Sequence, residues 1–95
     1  MPSGILIIED EVRLARNIQA YLERSGFVVR KTENGLDGLD EFRRFAPAVV
    51  LLDLGLPDLD GMEVLRRLLR IDSQTKVIVM TGTGLEDGQA ERDLY

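Results

Sequence analysis

Four short apolar runs recur at a steady interval along the chain: ILII at 5–8, FVVRK at 27–31, AVVLLD at 48–53 and KVIVMT at 76–81. The first, third and fourth are almost unbroken aliphatic residues, the pattern of strands covered on both faces in a parallel sheet. The second is shorter and ends in charge, which predicts an edge strand. Between the runs, apolar residues return at helical spacing. Leu14, Ala15, Ile18 and Leu22 mark one face of a helix predicted over 11–24, with Arg13, Arg16, Gln19 and Glu23 on the other. Gly26 follows the last periodic residue, as a helix stop does. Leu36, Leu39 and Phe42 place a second helix over 36–45, which Pro47 ends. Met62, Leu65, Leu68 and Leu69 place a third over 61–71, with Arg66, Arg67 and Arg70 outside the apolar face and Asp60 as N-cap.

The order β-α-β-α-β-α-β predicts an α/β fold. Right-handed crossovers put helices on both faces of a doubly wound parallel sheet. The stretch 83–95, TGLEDGQAERDLY, is polar and supports at most a short helix from about 86 onward. Repeats, low-complexity tracts and linkers are absent from the sequence.

Composition then narrows the chemistry. The chain has 95 residues, with 12 Lys and Arg against 17 Asp and Glu, a net charge of −5. One domain is expected at this length, and a 44% hydrophobic content excludes intrinsic disorder. There is no cysteine and no histidine. Disulfides, thiolate chemistry, Ser-His or Cys-His catalysis and the common zinc sites are thereby excluded. The acidic balance argues against nucleic acid as a direct partner. The apolar runs are too short to cross a bilayer and no signal peptide precedes them, so a soluble, cytoplasmic protein without a membrane partner is expected.

In open parallel sheets ligands bind beyond the carboxyl ends of the strands. Glu9 and Asp10 follow the first strand, Asp53 ends the third and Thr81 ends the fourth. Each has an ordinary reading when taken alone. Asp10 can be the N-cap of the first helix, Asp53 a turn former, and Thr81 before Gly82 a strand-end residue entering a turn. The joint pattern points elsewhere, because three carboxylates and a hydroxyl converge on one edge if strands one, three and four are neighbours. Crowded carboxylates resist ionising unless a cation sits among them. With only oxygen donors available, magnesium is favoured over zinc or copper, and such a site suits phosphoryl transfer. Other motifs fail. Asp58-Leu59-Asp60-Gly61 lacks the flanking acids of a calcium loop, Gly82-Thr83-Gly84 lacks the third glycine of a dinucleotide loop, and there is no GK[ST] sequence.

ILIIEDE at 5–11, LLDLGLPDLDGMEVLRRL at 51–68 and VIVMTG at 77–82 resemble the receiver (CheY-like) domain of bacterial two-component response regulators, over nearly everything from Ile5 to Gly82. The resemblance implies a flavodoxin-like sheet with strand order 2-1-3-4. It implies that Asp53 is the phosphoacceptor, attacking a phosphohistidine on a sensor histidine kinase or phosphotransfer protein. Glu9 and Asp10 match the acidic pair that holds Mg2+, and the backbone carbonyl of Gly55 matches the position that completes the coordination. Thr81 matches the hydroxyl that senses the phosphoryl group, and Gly82 the small position that leaves it space. Pro57 and Gly61 match positions that shape the loop before the third helix. LGLPDLDG is similar to receivers of transcriptional regulators.

The sequence also departs from the family pattern. A receiver continues past the fourth strand with a helix, a fifth strand and a last helix, and carries a lysine just after the fifth strand. Here 14 residues follow Thr81 and none is lysine. Lys76 and Lys31 are expected far from Asp53, and Arg92 would have to fold back from the tail. Residues 1–95 are therefore expected to be a receiver incomplete at its C-terminus, without an output domain, or a short form. In either case strand four becomes an exposed apolar edge, which self-association or segment exchange would cover. Two functions compete. The first is a phosphoacceptor signalling domain, which is not an enzyme in the usual sense. The second is a phosphorylation-independent interaction module that keeps the receiver surface.

Overall fold

A computed structural model describes residues 4–80 of the chain. In order it contains β1 (Gly4–Ile8), α1 (Val12–Arg24), β2 (Val28–Thr32), α2 (Gly35–Phe45), β3 (Val49–Asp53), α3 (Gly61–Ile71) and β4 (Lys76–Met80). The strands form one parallel sheet in the order β2-β1-β3-β4. This is the expected flavodoxin-like, doubly wound arrangement, with β2 at one edge.

Alternation along the central strands divides the core into two layers. Leu6, Ile8, Val50 and Leu52 point to one face and pack with Leu39 and Phe42 of α2 and Val64 and Leu68 of α3. Ile5 and Ile7 point to the other and pack with Ala15 of α1, Val29, Val49 and Leu51. Leu6, Ile7, Ile8, Val50, Leu52, Val64 and Leu68 are fully buried. Each such side chain contributes about 1.5–3 kcal/mol relative to leaving it exposed.

The helix faces differ in detail from the periodicity of the sequence. In α2 the inward stripe is Gly35, Gly38, Leu39 and Phe42, whereas Leu36 is 53% exposed. Glycine at 38 lets α2 lie close on β1, since a Cβ there would sit 2.6 Å from the Ile8 side chain. In α3 the buried stripe is Gly61, Val64 and Leu68, and Met62 and Leu69 face outward. Among the described residues, β4 is not covered on both faces. Its Ile78, beside Leu51 on the α1 side of the sheet, is 41% exposed.

Caps account for the element ends. Asp60 caps α3 as expected, its Oδ1 accepting from the Met62 N–H at 3.0 Å, and the Asn34 side chain accepts from the Asp37 N–H at 2.8 Å at the start of α2. α1 ends through Gly26, whose φ is +97°. α2 ends through Ala46, whose φ of 48° is the left-handed conformation usually given to glycine. Each of the described helices carries arginine in its last turn: Arg24, Arg43 with Arg44, and Arg70. No helix among the described residues is long and apolar enough to cross a membrane.

Candidate metal centre

Parallel pairing brings the carboxyl ends of the strands level. Ile8 lies beside both Thr32 and Leu52, and Asp53 beside Met80. The Glu9 N–H still bonds the Thr32 carbonyl at 3.0 Å, one residue past β1, and the Leu54 N–H bonds the Met80 carbonyl at 3.3 Å, one residue past β3. Glu9 and Asp53 are thus fixed by backbone that remains in register with the sheet, and Asp10 follows Glu9 directly. One carboxylate oxygen of each lies within 4.8 Å of those of the other two. Glu9 and Asp53 are buried, 5% and 7% exposed, while Asp10 is exposed and forms the open side of the cluster.

Burial raises the pKa of Glu9 from 4.5 to about 7, opposed by the Glu11 N–H on its Oε2 at 3.0 Å and reinforced by the charge of Asp53. The pKa of Asp53 is also raised, mainly by burial and then by Asp10, against the Gly55 N–H that reaches its Oδ1 at 3.2 Å. Burial and like charge this close both disfavour full ionisation of the cluster, so it binds a proton more readily than free carboxylates do. Among the described residues no lysine or arginine forms an ion pair with any of the three. An all-oxygen donor set at this spacing fits a hard divalent cation such as magnesium, whose charge relieves that repulsion.

The loop after Asp53 is closed at its neck. The Gly61 N–H bonds the Leu54 carbonyl at 3.3 Å, and a Cβ on Gly61 would sit 2.4 Å from the Leu54 Cα. From the middle of this loop Asp58 reaches α2. Its Oδ1 accepts from the Gly35 N–H at 2.7 Å and its Oδ2 from the Leu36 N–H at 2.9 Å. These bonds hold the Asp58 pKa below the usual carboxylate value. The sequence marks Asp58 only as part of a failed calcium motif. Its partners are backbone groups, so no side-chain pattern announces it.

The structure brings Glu9, Asp10 and Asp53 together, and places Gly55 in contact with Asp53 through its N–H. The N-cap of α1 is Glu11, without a side-chain cap bond, so Asp10 does not serve as the cap. Lys76 pairs with Val49 at the start of β3, the opposite edge from Asp53, and Lys31 pairs with Ile7 inside the sheet. Thr81, Gly82 and Arg92 lie outside the described residues.

The sequence profile of the response regulator receiver domain matches residues 5–92. The chain is 47% identical over 92 residues to the uncharacterised transcriptional regulatory protein YkoG of Bacillus subtilis, covering 88% of this chain and 40% of that protein. It thus spans less than half the length of this curated relative. A response regulator receiver domain protein from Clostridium thermocellum superposes with a TM-score of 0.80 at 32% identity, over 90% of this chain and 70% of that one. The response regulator TrrA of Thermotoga maritima, crystallised in complex with Mg2+–BeF, superposes with a TM-score of 0.79 at 25% identity, over 90% and 76% of the two chains.

Proposed function

From the premise that the chain belongs to the response regulator receiver domain family, we propose that it is the phosphoacceptor domain of a two-component phosphorelay and that Asp53 takes the phosphoryl group. The observation that carries this reading is the cluster of Glu9, Asp10 and Asp53 at the carboxyl edge of the sheet. The donor is a phosphohistidine on a sensor histidine kinase or phosphotransfer protein. An Asp53 carboxylate oxygen attacks the phosphorus; the new O–P bond forms as the N–P bond breaks, and the electron pair returns to the imidazole. Water attacking the phosphorus later breaks the acyl phosphate, releasing phosphate and restoring the carboxylate. The domain is therefore a regenerated phosphoryl acceptor and not a conventional enzyme.

Glu9, Asp10, Asp53 and the Gly55 carbonyl would hold Mg2+, in keeping with the Mg2+ bound in the Thermotoga relative. When bound, magnesium supplies positive charge against the phosphoryl oxygens. The protein's own residues prepare the attack. The Gly55 N–H orients Asp53, and Glu9 and Asp10 supply the negative charge that would draw the cation to the nucleophile. Thr81 is assigned to bond a phosphoryl oxygen, with Gly82 giving it room. The added charge then shifts an existing conformational equilibrium. Residues 1–95 would act as the receiver part of a cytoplasmic transcriptional regulator, the class to which YkoG is assigned, and self-association through the β4 edge is part of the proposal.

Intact-mass measurement after incubation with Mg2+ and a small phosphodonor tests this directly. The expected gain is one phosphoryl group, absent in Asp53→Asn and absent with a chelator. A folded protein that gains none would instead be an interaction module that keeps the receiver surface without the chemistry.

A further inference from the structure

An α-helix leaves its first N–H groups without partners, and a cap close in sequence ordinarily satisfies them. In α2 the work is divided. Asn34, the local cap, serves only the Asp37 N–H. The Gly35 and Leu36 N–H groups are bound by Asp58, at 2.7 and 2.9 Å, from a loop more than twenty positions further along the chain. The same carboxylate accepts from the Leu59 N–H at 2.9 Å, which fixes the loop's own turn. The two segments also interlock through packing. A Cβ on Gly35 would lie 2.8 Å from the Val64 side chain and 3.2 Å from Leu59, so the N-terminus of α2 is seated against the end of the loop and the first turn of α3.

That loop begins at the proposed acceptor. Its neck is closed by the Gly61 to Leu54 hydrogen bond, and Leu54 is tied in turn to Met80. Between the two sides of the neck lie Gly55, which bonds Asp53, and Asp58, which bonds α2. A clamp at Asp58 therefore fixes the far side of a closed loop whose near side touches the nucleophile.

We infer that Asp58 is a positioning residue for the acidic site: by binding the α2 N-terminus it holds the β3–α3 loop with Gly55 against Asp53, and it makes the first turn of α2 respond to events at Asp53. Coupling of this kind is reciprocal. If the α2 clamp favours cation binding, cation binding strengthens the clamp by the same factor. The inference rests on the reading of Glu9, Asp10 and Asp53 as a magnesium site, and its test separates the two.

The experiment is a titration of the 95-residue chain with Mg2+ alone, followed through the amide resonances of Gly35, Leu36 and Gly55 and through hydrogen exchange at Gly35 and Leu36. In the wild type all three amides shift with one midpoint, and exchange at Gly35 and Leu36 slows. In Asp58→Ala the midpoint rises about tenfold, the low end of the range for groups that orient metal ligands, and the Gly35 and Leu36 responses disappear. Asp58→Asn keeps an acceptor for Gly35 but loses the one for Leu36, so an intermediate midpoint is expected from a variant closer to native stability. Asn34→Ala removes the other cap of the same helix and leaves both midpoint and response unchanged. Equal midpoints in the wild type and both Asp58 variants, or equal weakening by Asn34→Ala, would reduce Asp58 to a structural cap and overturn the inference. If Gly55 in the wild type does not respond to Mg2+, the magnesium-site reading falls and the inference falls with it.

Discussion

Glu9 is an acid whose folded-state pKa lies above its ordinary value, at about 7 against 4.5. The folded protein therefore holds more protons than the unfolded chain between those two values, and stability falls as pH rises through that window. This is the reverse of a salt-bridged carboxylate. Without divalent cations the melting temperature is expected to decrease from about pH 5 to about pH 7.5. Mg2+ should raise it more at the higher pH, where the proton it displaces has already left. Glu9→Gln should flatten the profile and reduce the Mg2+ response, and thermal denaturation at several pH values checks both. A melting temperature that climbs steadily over this range in the metal-free wild type would contradict the assigned shift. Glu9, Asp10 and Asp53 were readable from sequence because each stands at the end of an aliphatic run, and the end of a buried parallel strand fixes the edge of the sheet it reaches. Asp58 was not readable, because a carboxylate whose partners are backbone N–H groups of residues 35 and 36 leaves no matching side chain to find.

Element positions followed from the hydrophobic pattern to within a residue or two, because strand and helix periods differ enough to separate them. Facing was less secure. A three-residue interval fits two adjacent stripes of a helix, and in α2 Gly38, which lets it approach β1, and Gly35, which seats it against α3, occupy the stripe that Leu36 was expected to share. In α3, Val64 takes the buried position and Met62 is displaced outward. The helix ends give opposite predictions for one kind of change. Ala46 adopts a left-handed backbone without being glycine, and Gly26 adopts φ of +97° with nothing near the position its Cβ would take. Relief of the left-handed penalty, less the greater freedom glycine gives the unfolded chain, makes Ala46→Gly stabilising by about 0.5–1 kcal/mol. Gly26→Ala is destabilising by about 1 kcal/mol, since the backbone alone carries the strain. Denaturant unfolding of the two variants should move the midpoint in opposite directions at an unchanged slope.

At the scale of the molecule, the described part of the sheet closes at β2 on one side and leaves β4 at the other, with Ile78 partly exposed beside Leu51. An apolar edge of this kind invites pairing with another chain. Ile78→Lys is expected to lower the associated fraction in sedimentation velocity at a given concentration while leaving the fold intact, because the side chain is already 41% exposed. An unchanged distribution would contradict the proposed self-association through the β4 edge. The βα winding has one more effect. Each helix runs against the strands, so the arginine-bearing last turns of α1, α2 and α3 collect at the edge where the strands begin, with Lys76 among them, while Glu9, Asp10 and Asp53 collect where they end. Among the described residues, charge is therefore separated along the strands, a dipole that the net charge of −5 does not convey. A cationic surface exerts a torque on such a body and turns the carboxylate edge toward itself before contact. Since charges are screened beyond about 8 Å at physiological ionic strength, that alignment acts only over the last approach, and salt should slow encounter more than it loosens a complex already formed.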